Sequence, residues 1–184
     1  SSDLVKLAGS NEWRLLAPDA RGVRYTDAEW NAYAAERRDM AVLSVGARLP
    51  ALEQVIDAHV VPLCSRKVRP RIWCAASSTG EEPLTLAMLL AERGLLDRVE
   101  LIASDISQRA LARARSGLHS RRSLRDGHPV ELAAKYLQVT PEGVHVDARI
   151  GAAVQFQCLN LLDQAAVAAL GPFDLILCRN VLIY

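Results

Sequence analysis

The sequence predicts an α/β protein with a doubly wound, mostly parallel sheet. Three observations predict it. From Arg71 onward, short apolar runs of strand length alternate with longer runs of helical periodicity. Three of the helical runs are closed by a glycine, at Gly94, Gly117 and Gly171. Each apolar run leaves the core through polar residues, as "RIWCAA" does through "SSTGEE". In doubly wound folds, ligands bind beyond the carboxyl ends of the strands.

The bulk properties narrow the function classes. A net charge of +1 gives no global field toward nucleic acid or acidic lipid. No apolar run reaches the length of about 18 residues that membrane insertion needs, and "SSDLVKLAGS" lacks the pattern of a signal peptide. Cys64, Cys74, Cys158 and Cys178 are far apart, without C-x-x-C spacing. They read as reduced thiols of a cytoplasmic protein rather than a disulfide or metal set. The four histidines show no metal spacing.

Residues 1–69 read as a helical region. "TDAEWNAYAAERRDM" opens with Thr26 and Glu29 in capping-box spacing. Pro50 opens a second helix with Leu52, Val55, Ile56 and Val60 on one stripe, and Pro62 disturbs its end. "SRKVRP", residues 65–70, is a polar connector that separates this region from a sheet domain spanning 70–184. There the order is "RIWCAA" (strand), "PLTLAMLLAERG" (helix), "VELIASD" (strand), "SQRALARARSG" (helix capped by Ser107), "AVQFQCLN" (strand), "DQAAVAAL" (helix) and "FDLILCRN" (strand). Between the second of these helices and the third strand, Lys135–Ile150 carries two β-rich pieces joined by Thr-Pro-Glu-Gly. This reads as a small antiparallel hairpin inserted between sheet elements.

The strand ends collect Ser77–Glu82, Asp105, Leu159–Leu161 and Arg179–Tyr184 into one prospective cleft. Gly80 and its small neighbours let the backbone turn sharply and approach a ligand. Glu81 and Glu82 do not favour phosphate, and "SSTGEE" is neither G-x-G-x-x-G nor a P-loop. A ligand with hydroxyls and positive charge fits better. S-adenosylmethionine, with a ribose diol, an ammonium and a sulfonium, matches where the pyrophosphate of NAD does not. Each residue also has a plainer reading. Glu82 can serve the helix dipole, Asp105 can cap a helix, and Asn160 can form a turn. Arg179 and Asn180 can satisfy carbonyls of the last strand. One shared cleft accounts for all of them together.

"WCAASSTGEEPLTLAMLLAE", "ASDISQRALARARSGLHS", "FQCLNLLD" and "FDLILCRNVLIY" closely resemble the chemotaxis receptor methyltransferase (CheR) family, in the same order from Arg71 to Tyr184. The resemblance implies a methyltransferase α/β sandwich. The implied reaction moves a methyl group from S-adenosylmethionine to a glutamate on a chemoreceptor helix, leaving S-adenosylhomocysteine. By position, Glu82, Asp105, Asn160, Leu161, Arg179 and Asn180 resemble cofactor contacts, Gly80 belongs to the same loop, and Tyr184 resembles the tyrosine lining the reaction site. The hairpin resembles the β-subdomain that helps dock receptors.

The sequence departs from the family at one signature. Where members carry T-x-N-x-T-x-F-F-R, the aligned stretch is "VLSVGAR". Ser44 stands for the second Thr as a cofactor contact, and Arg48 for the Arg that orients the substrate carboxylate. Val42, Gly46 and Ala47 replace the Asn and both Phe. This departure supports a second reading, a catalytically silent module that binds S-adenosylmethionine or its product and regulates a partner. The family also continues beyond the position of Tyr184 into a helix and two strands. An exposed sheet edge beside the last strand, and a dimer formed through it, are therefore expected.

Overall fold

The computed structural model describes residues 3–7, 13–16, 23–24, 49–66, 69–123 and 130–178. Its frame is a seven-stranded sheet in the order β3-β2-β1-β10-β4-β5-β9. The parallel part consists of β4 (Arg71–Ala75), β5 (Glu100–Asp105), β9 (Val154–Cys158) and β10 (Leu175–Cys178). These four strands coincide with the apolar runs of the sequence, and β10-β4, β4-β5 and β5-β9 pair in parallel as expected.

Alternation along each strand fills both faces of the sheet. Ile72 and Cys74 of β4 join Leu101, Ala103, Leu175 and Leu177 in the larger core. Trp73 and Ala75 point the other way and meet Ile102, Leu159 and Phe173. At the start of the strands, Arg71 pairs with Glu100 at 3.0 Å, and its backbone N–H donates to Asp174 Oδ2 at 2.8 Å. Phe173 stacks on Trp73, ring centroids 5.2 Å apart. These contacts pin β4, β5 and β10 in register at the end opposite the prospective site.

Two helices follow from local signals. The first is α3 (Glu81–Glu92), in which every residue from Pro83 to Leu90 is buried. A helix apolar all round must be covered on every side. Against the larger core, α3 meets the sheet, α6 (Ala148–Ala152) and α1 (Leu49–Val55). The second is α4 (Gln108–Ser116). Ser107 caps it by accepting from the Ala110 N–H, and Gly117, at φ 64°, ends it. α7 (Gln164–Ala169) lies between β9 and β10 and is followed by Gly171 at φ 86°.

The structure revises the N-terminal region. Leu52, Val55, Ile56 and Val60 are buried on one stripe, as the sequence predicts. The disturbance from Pro62 falls upstream of it, as a π-turn at Ile56–Val60, and α2 (Val61–Ser65) starts afresh with the proline in its first turn. Ahead of these helices the chain is not helical where it is described. β1 (Asp3–Leu7), β2 (Trp13–Leu16) and β3 (Val23–Arg24) form an antiparallel meander. Such short apolar pieces cannot nucleate helices. Here β1 pairs antiparallel with β10, from Leu4 opposite Cys178 to Leu7 opposite Leu175, and so satisfies the backbone groups of both strands. The expected bare edge beside β10 is therefore corrected. That flank is occupied, and a dimer through it loses its basis. The Thr26–Glu29 capping box lies outside the described residues.

The inserted hairpin is also revised. β7 (Leu137–Val139) and β8 (Val144–Val146) pair around the Thr140–Gly143 turn, but a third strand, β6 (Leu118–His119), joins the other side of β8. The ends of the predicted span are helical, in α5 (Val130–Tyr136) and α6. This three-stranded sheet sits beside α3. The sequence concealed β6 because it is two residues long and gains its partner only through β8.

Candidate cofactor site

Strand register brings the predicted residues to one edge. Cys178 lies opposite Ala75, Ala75 opposite Ser104, and Asp105 opposite Cys158. The described residues that follow Ala75, Asp105 and Cys158 share one rim of the sheet.

The loop after β4 is the most constrained part of that rim. Ala76 and Ser78 have φ of 53° and 51°, and Gly80 has φ of 86°. Positive φ is costly for residues with a Cβ and marks stored strain. Hydrogen bonds hold the shape. The Ser77 N–H donates to the Ser104 carbonyl at 2.8 Å, the Gly80 N–H to the Ser77 carbonyl at 2.9 Å, and the Ser78 N–H to Asp105 Oδ2 at 2.8 Å. The other Asp105 oxygen accepts from the Ser107 N–H at 2.8 Å. Asp105 thus ties the first loop to the second. Each carboxylate oxygen accepts one N–H and keeps the capacity for a further donor, enough for a diol.

Gly80 has a different reason from the one the sequence suggests. A Cβ there would sit 2.8 Å from the Ala114 Cβ and 3.1 Å from the Phe156 ring. The glycine is required by packing against α4 and β9, together with its positive φ.

Glu81 and Glu82 open α3 without diverging from the dipole rule, yet they face different surroundings. Glu82 is half-buried, and its charge, after burial, helps push the Cys178 thiol up to about 11. Glu81 turns toward the small sheet. Its Oε2 accepts from Thr79 Oγ1 at 2.5 Å, its Oε1 from Ser123 Oγ at 3.4 Å, and His119 Nδ1 lies 3.7 Å away, an ion-pair distance rather than a hydrogen bond. Burial pushes the Glu81 carboxyl up, but the His119 ring, the Thr79 hydroxyl and its own backbone N–H outweigh this and hold it at about 2.

After β9, Asn160 is exposed. Its Oδ1 accepts from the Leu162 N–H at 3.0 Å and its carbonyl from the Asp163 N–H at 3.0 Å. The turn-forming reading of Asn160 is realised, with its side-chain amide N–H groups not used by that turn. Leu161 packs on the core around Trp73. Ser44, Arg48, Arg179, Asn180 and Tyr184 lie outside the described residues. Among the predicted residues, the structure therefore brings together Gly80, Glu82, Asp105, Asn160 and Leu161.

Ser77, collected in the sequence with the first loop but given no role of its own there, is a further polar group of that loop. Ser77 Oγ is buried and has no hydrogen-bond partner among the described residues. An unsatisfied hydroxyl next in sequence to Ser78, whose N–H donates to Asp105, is what a ligand rich in donors and acceptors would complete. The described rim offers carboxylates, a hydroxyl and an amide. This donor set fits a cationic ribonucleoside and does not fit a phosphate. Among the described residues no cluster of His, Cys, Asp or Glu could hold a metal ion, and no helix is long and apolar enough to cross a membrane.

A parallel sheet with helices on both faces and acidic groups at its carboxyl rim defines a nucleoside-binding α/β domain of the methyltransferase class. The comparisons carry this further: the chain belongs to the family described as "CheR methyltransferase, SAM binding domain", which matches residues 44–184. It is 39% identical over 138 residues to the chemotaxis protein methyltransferase of Escherichia coli strain K12, covering 70% of this chain and 48% of that protein. It is 36% identical over 137 residues to the chemotaxis protein methyltransferase of Vibrio parahaemolyticus, covering 71% and 49%. It is also 36% identical over 115 residues to the probable biofilm formation methyltransferase WspC of Pseudomonas aeruginosa, covering 62% and 27%. The chain spans about half the length, or less, of these relatives.

Proposed function

We propose that this chain is the cofactor-binding part of a protein-glutamate O-methyltransferase whose substrate is a chemoreceptor or a related signalling protein. The observation that carries the reading is the strained loop after β4, which the Asp105 carboxylate holds at the Ser78 N–H and whose buried Ser77 hydroxyl has no hydrogen-bond partner among the described residues. Asp105 would accept from the ribose hydroxyls, and Glu82 would face the cationic end of the cofactor. Asn160 and Leu161 would border the base, and Arg179 and Asn180, next in sequence after β10, would add further cofactor contacts. When bound, S-adenosylmethionine supplies a methyl group activated by its sulfonium.

The rest is alignment. A glutamate side chain is ionised near pH 7, its reference pKa being about 4.3, so the acceptor needs no general base. The protein must hold the acceptor oxygen in line and exclude water from it. Arg48 would orient that carboxylate through paired N–H donors, Tyr184 would donate to it, and Ser44 would contact the cofactor.

The test mixes the full chain with receptor cytoplasmic fragments and radiolabelled S-adenosylmethionine and looks for base-labile label. Label in wild type, lost in Arg48→Ala, supports the reading. Cofactor binding by calorimetry with no label on any receptor fragment replaces it with the regulatory-module reading.

A further inference from the structure

His119 is the most anomalous polar side chain described. Only 5% of it is exposed, and neither ring nitrogen has a hydrogen-bond partner among the described residues. It stands on β6, paired with Val144 of β8, and its Nδ1 faces the Glu81 carboxylate across 3.7 Å. Behind the pair lies a cavity of about 40 Å³ between α3 and the small sheet, lined by Leu84, Met88, Leu132 and Val146 among others. Most of these walls are apolar, with Thr85 and Ser123 the other polar side chains, and among the described residues that line the cavity Glu81 is the anion facing the ring.

A dipole contact alone does not explain Glu81. An acid in the first turn of a helix serves the dipole equally well in solvent. Glu81 instead turns inward and joins two parts of the molecule. Through Oε1 it faces His119 and Ser123, and through Oε2 it holds Thr79, the residue between the strained Ser78 and Gly80. Movement of the small sheet therefore reaches the loop through one carboxylate.

We propose that Glu81 and His119 are a positioning pair that couples the small sheet to the loop holding the cofactor, with Thr79 as the link. The proposal rests on the cofactor reading above. Neither residue touches the reacting atoms. Their role is to keep Thr79, and with it the Ser77 hydroxyl and the Ser78 N–H that Asp105 accepts, in the shape that ligand binding requires.

Two measurements on the full chain test it. The first is hydrogen exchange at the amides of Ser77–Gly80 without ligand. Both Glu81→Gln and His119→Phe are expected to speed it by about tenfold, and His119→Gln, which keeps an N–H donor, to restore it to within about threefold of wild type. The second is calorimetric titration with S-adenosylmethionine. Each single variant is expected to weaken binding by about tenfold, with the double variant no worse than either single one, as coupled residues require. Wild-type exchange and affinity in both variants, with only the melting temperature lowered, would overturn the proposal, and so would effects that multiply in the double variant. If wild type gives no heat while the exchange rates respond as expected, the coupling stands and the cofactor reading is what fails.

Discussion

The loop after β4 and the loop after β9 sit at one rim of one sheet, yet different forces build them. The first contains three positive-φ residues within five and is held by bonds from Ser104 and Asp105, which lie on a neighbouring strand. Beyond one ladder bond from the Leu159 N–H to the Asp105 carbonyl at 3.0 Å, the second is held by its own sequence. Asn160 and Asp163 accept from N–H groups two and three residues ahead, and Leu162 is left 87% exposed. A loop whose shape depends on distant partners can store strain and present an unsatisfied hydroxyl. A loop made of local turns folds without help and tolerates change. Equal topological position does not confer equal functional weight.

Substitutions at the two loops should differ accordingly. The largest effect is expected from Gly80→Val, which forces side-chain atoms onto Ala114 and Phe156 and a branched residue into positive φ. We expect a loss of about 3 kcal/mol and a melting temperature lower by about 6–12 °C, with cofactor binding abolished. A fully stable Gly80→Val protein would break the comparison. Asp105→Ala comes next. It strips the Ser78 and Ser107 N–H groups of their acceptor and should cost about 2 kcal/mol, with calorimetry showing at least about a tenfold loss of S-adenosylmethionine affinity.

Acid should act selectively on the first loop. The Glu81 carboxyl is held at about 2 against an ordinary value of 4.5. A depressed carboxyl contributes stability that is present above its unfolded pKa and is lost as pH falls through the folded one. Wild type should therefore lose more stability between pH 4.5 and 2 than Glu81→Gln does. With the side chain 34% exposed and screened by solvent, the difference should be about 1–2 kcal/mol. Chemical denaturation at stepped pH measures it, and parallel curves for the two proteins would show that the carboxylate is not held as described.

The smallest effect belongs to the second loop. Asn160→Asp keeps the oxygen that forms the turn and removes the amide N–H donors. Stability should stay within about 0.5 kcal/mol of wild type, while S-adenosylmethionine binding weakens several-fold. Unchanged affinity would leave Asn160 a turn former only and sharpen the contrast between the loops.

Much of this was legible in the chain. The four parallel strands, the cap at Ser107 and the stop at Gly117 depend on residues within a few positions of each other, and they emerged as read. Asp105 and Glu82 were legible as candidate site residues because strand ends in parallel sheets converge. The N-terminal strands were not. Asp3–Leu7 is too short to declare itself, and it becomes a strand because β10 offers an unpaired edge. His119 carried no signal either. A histidine in "SGLHS" gains meaning only when β8 draws it beneath α3, opposite Glu81.

By itself, then, the sequence determined the alternation of strands and helices, the family and the chemical character of the rim, because periodicity, caps and charge are local properties. Only the tertiary structure decided which flank of β10 is covered, why position 80 must be glycine, and that Glu81 turns toward the small sheet. Those outcomes depend on atoms far apart in sequence that become neighbours only when the sheet assembles. Close packing at 2.8 Å and a carboxylate shared between two elements are properties of that assembly.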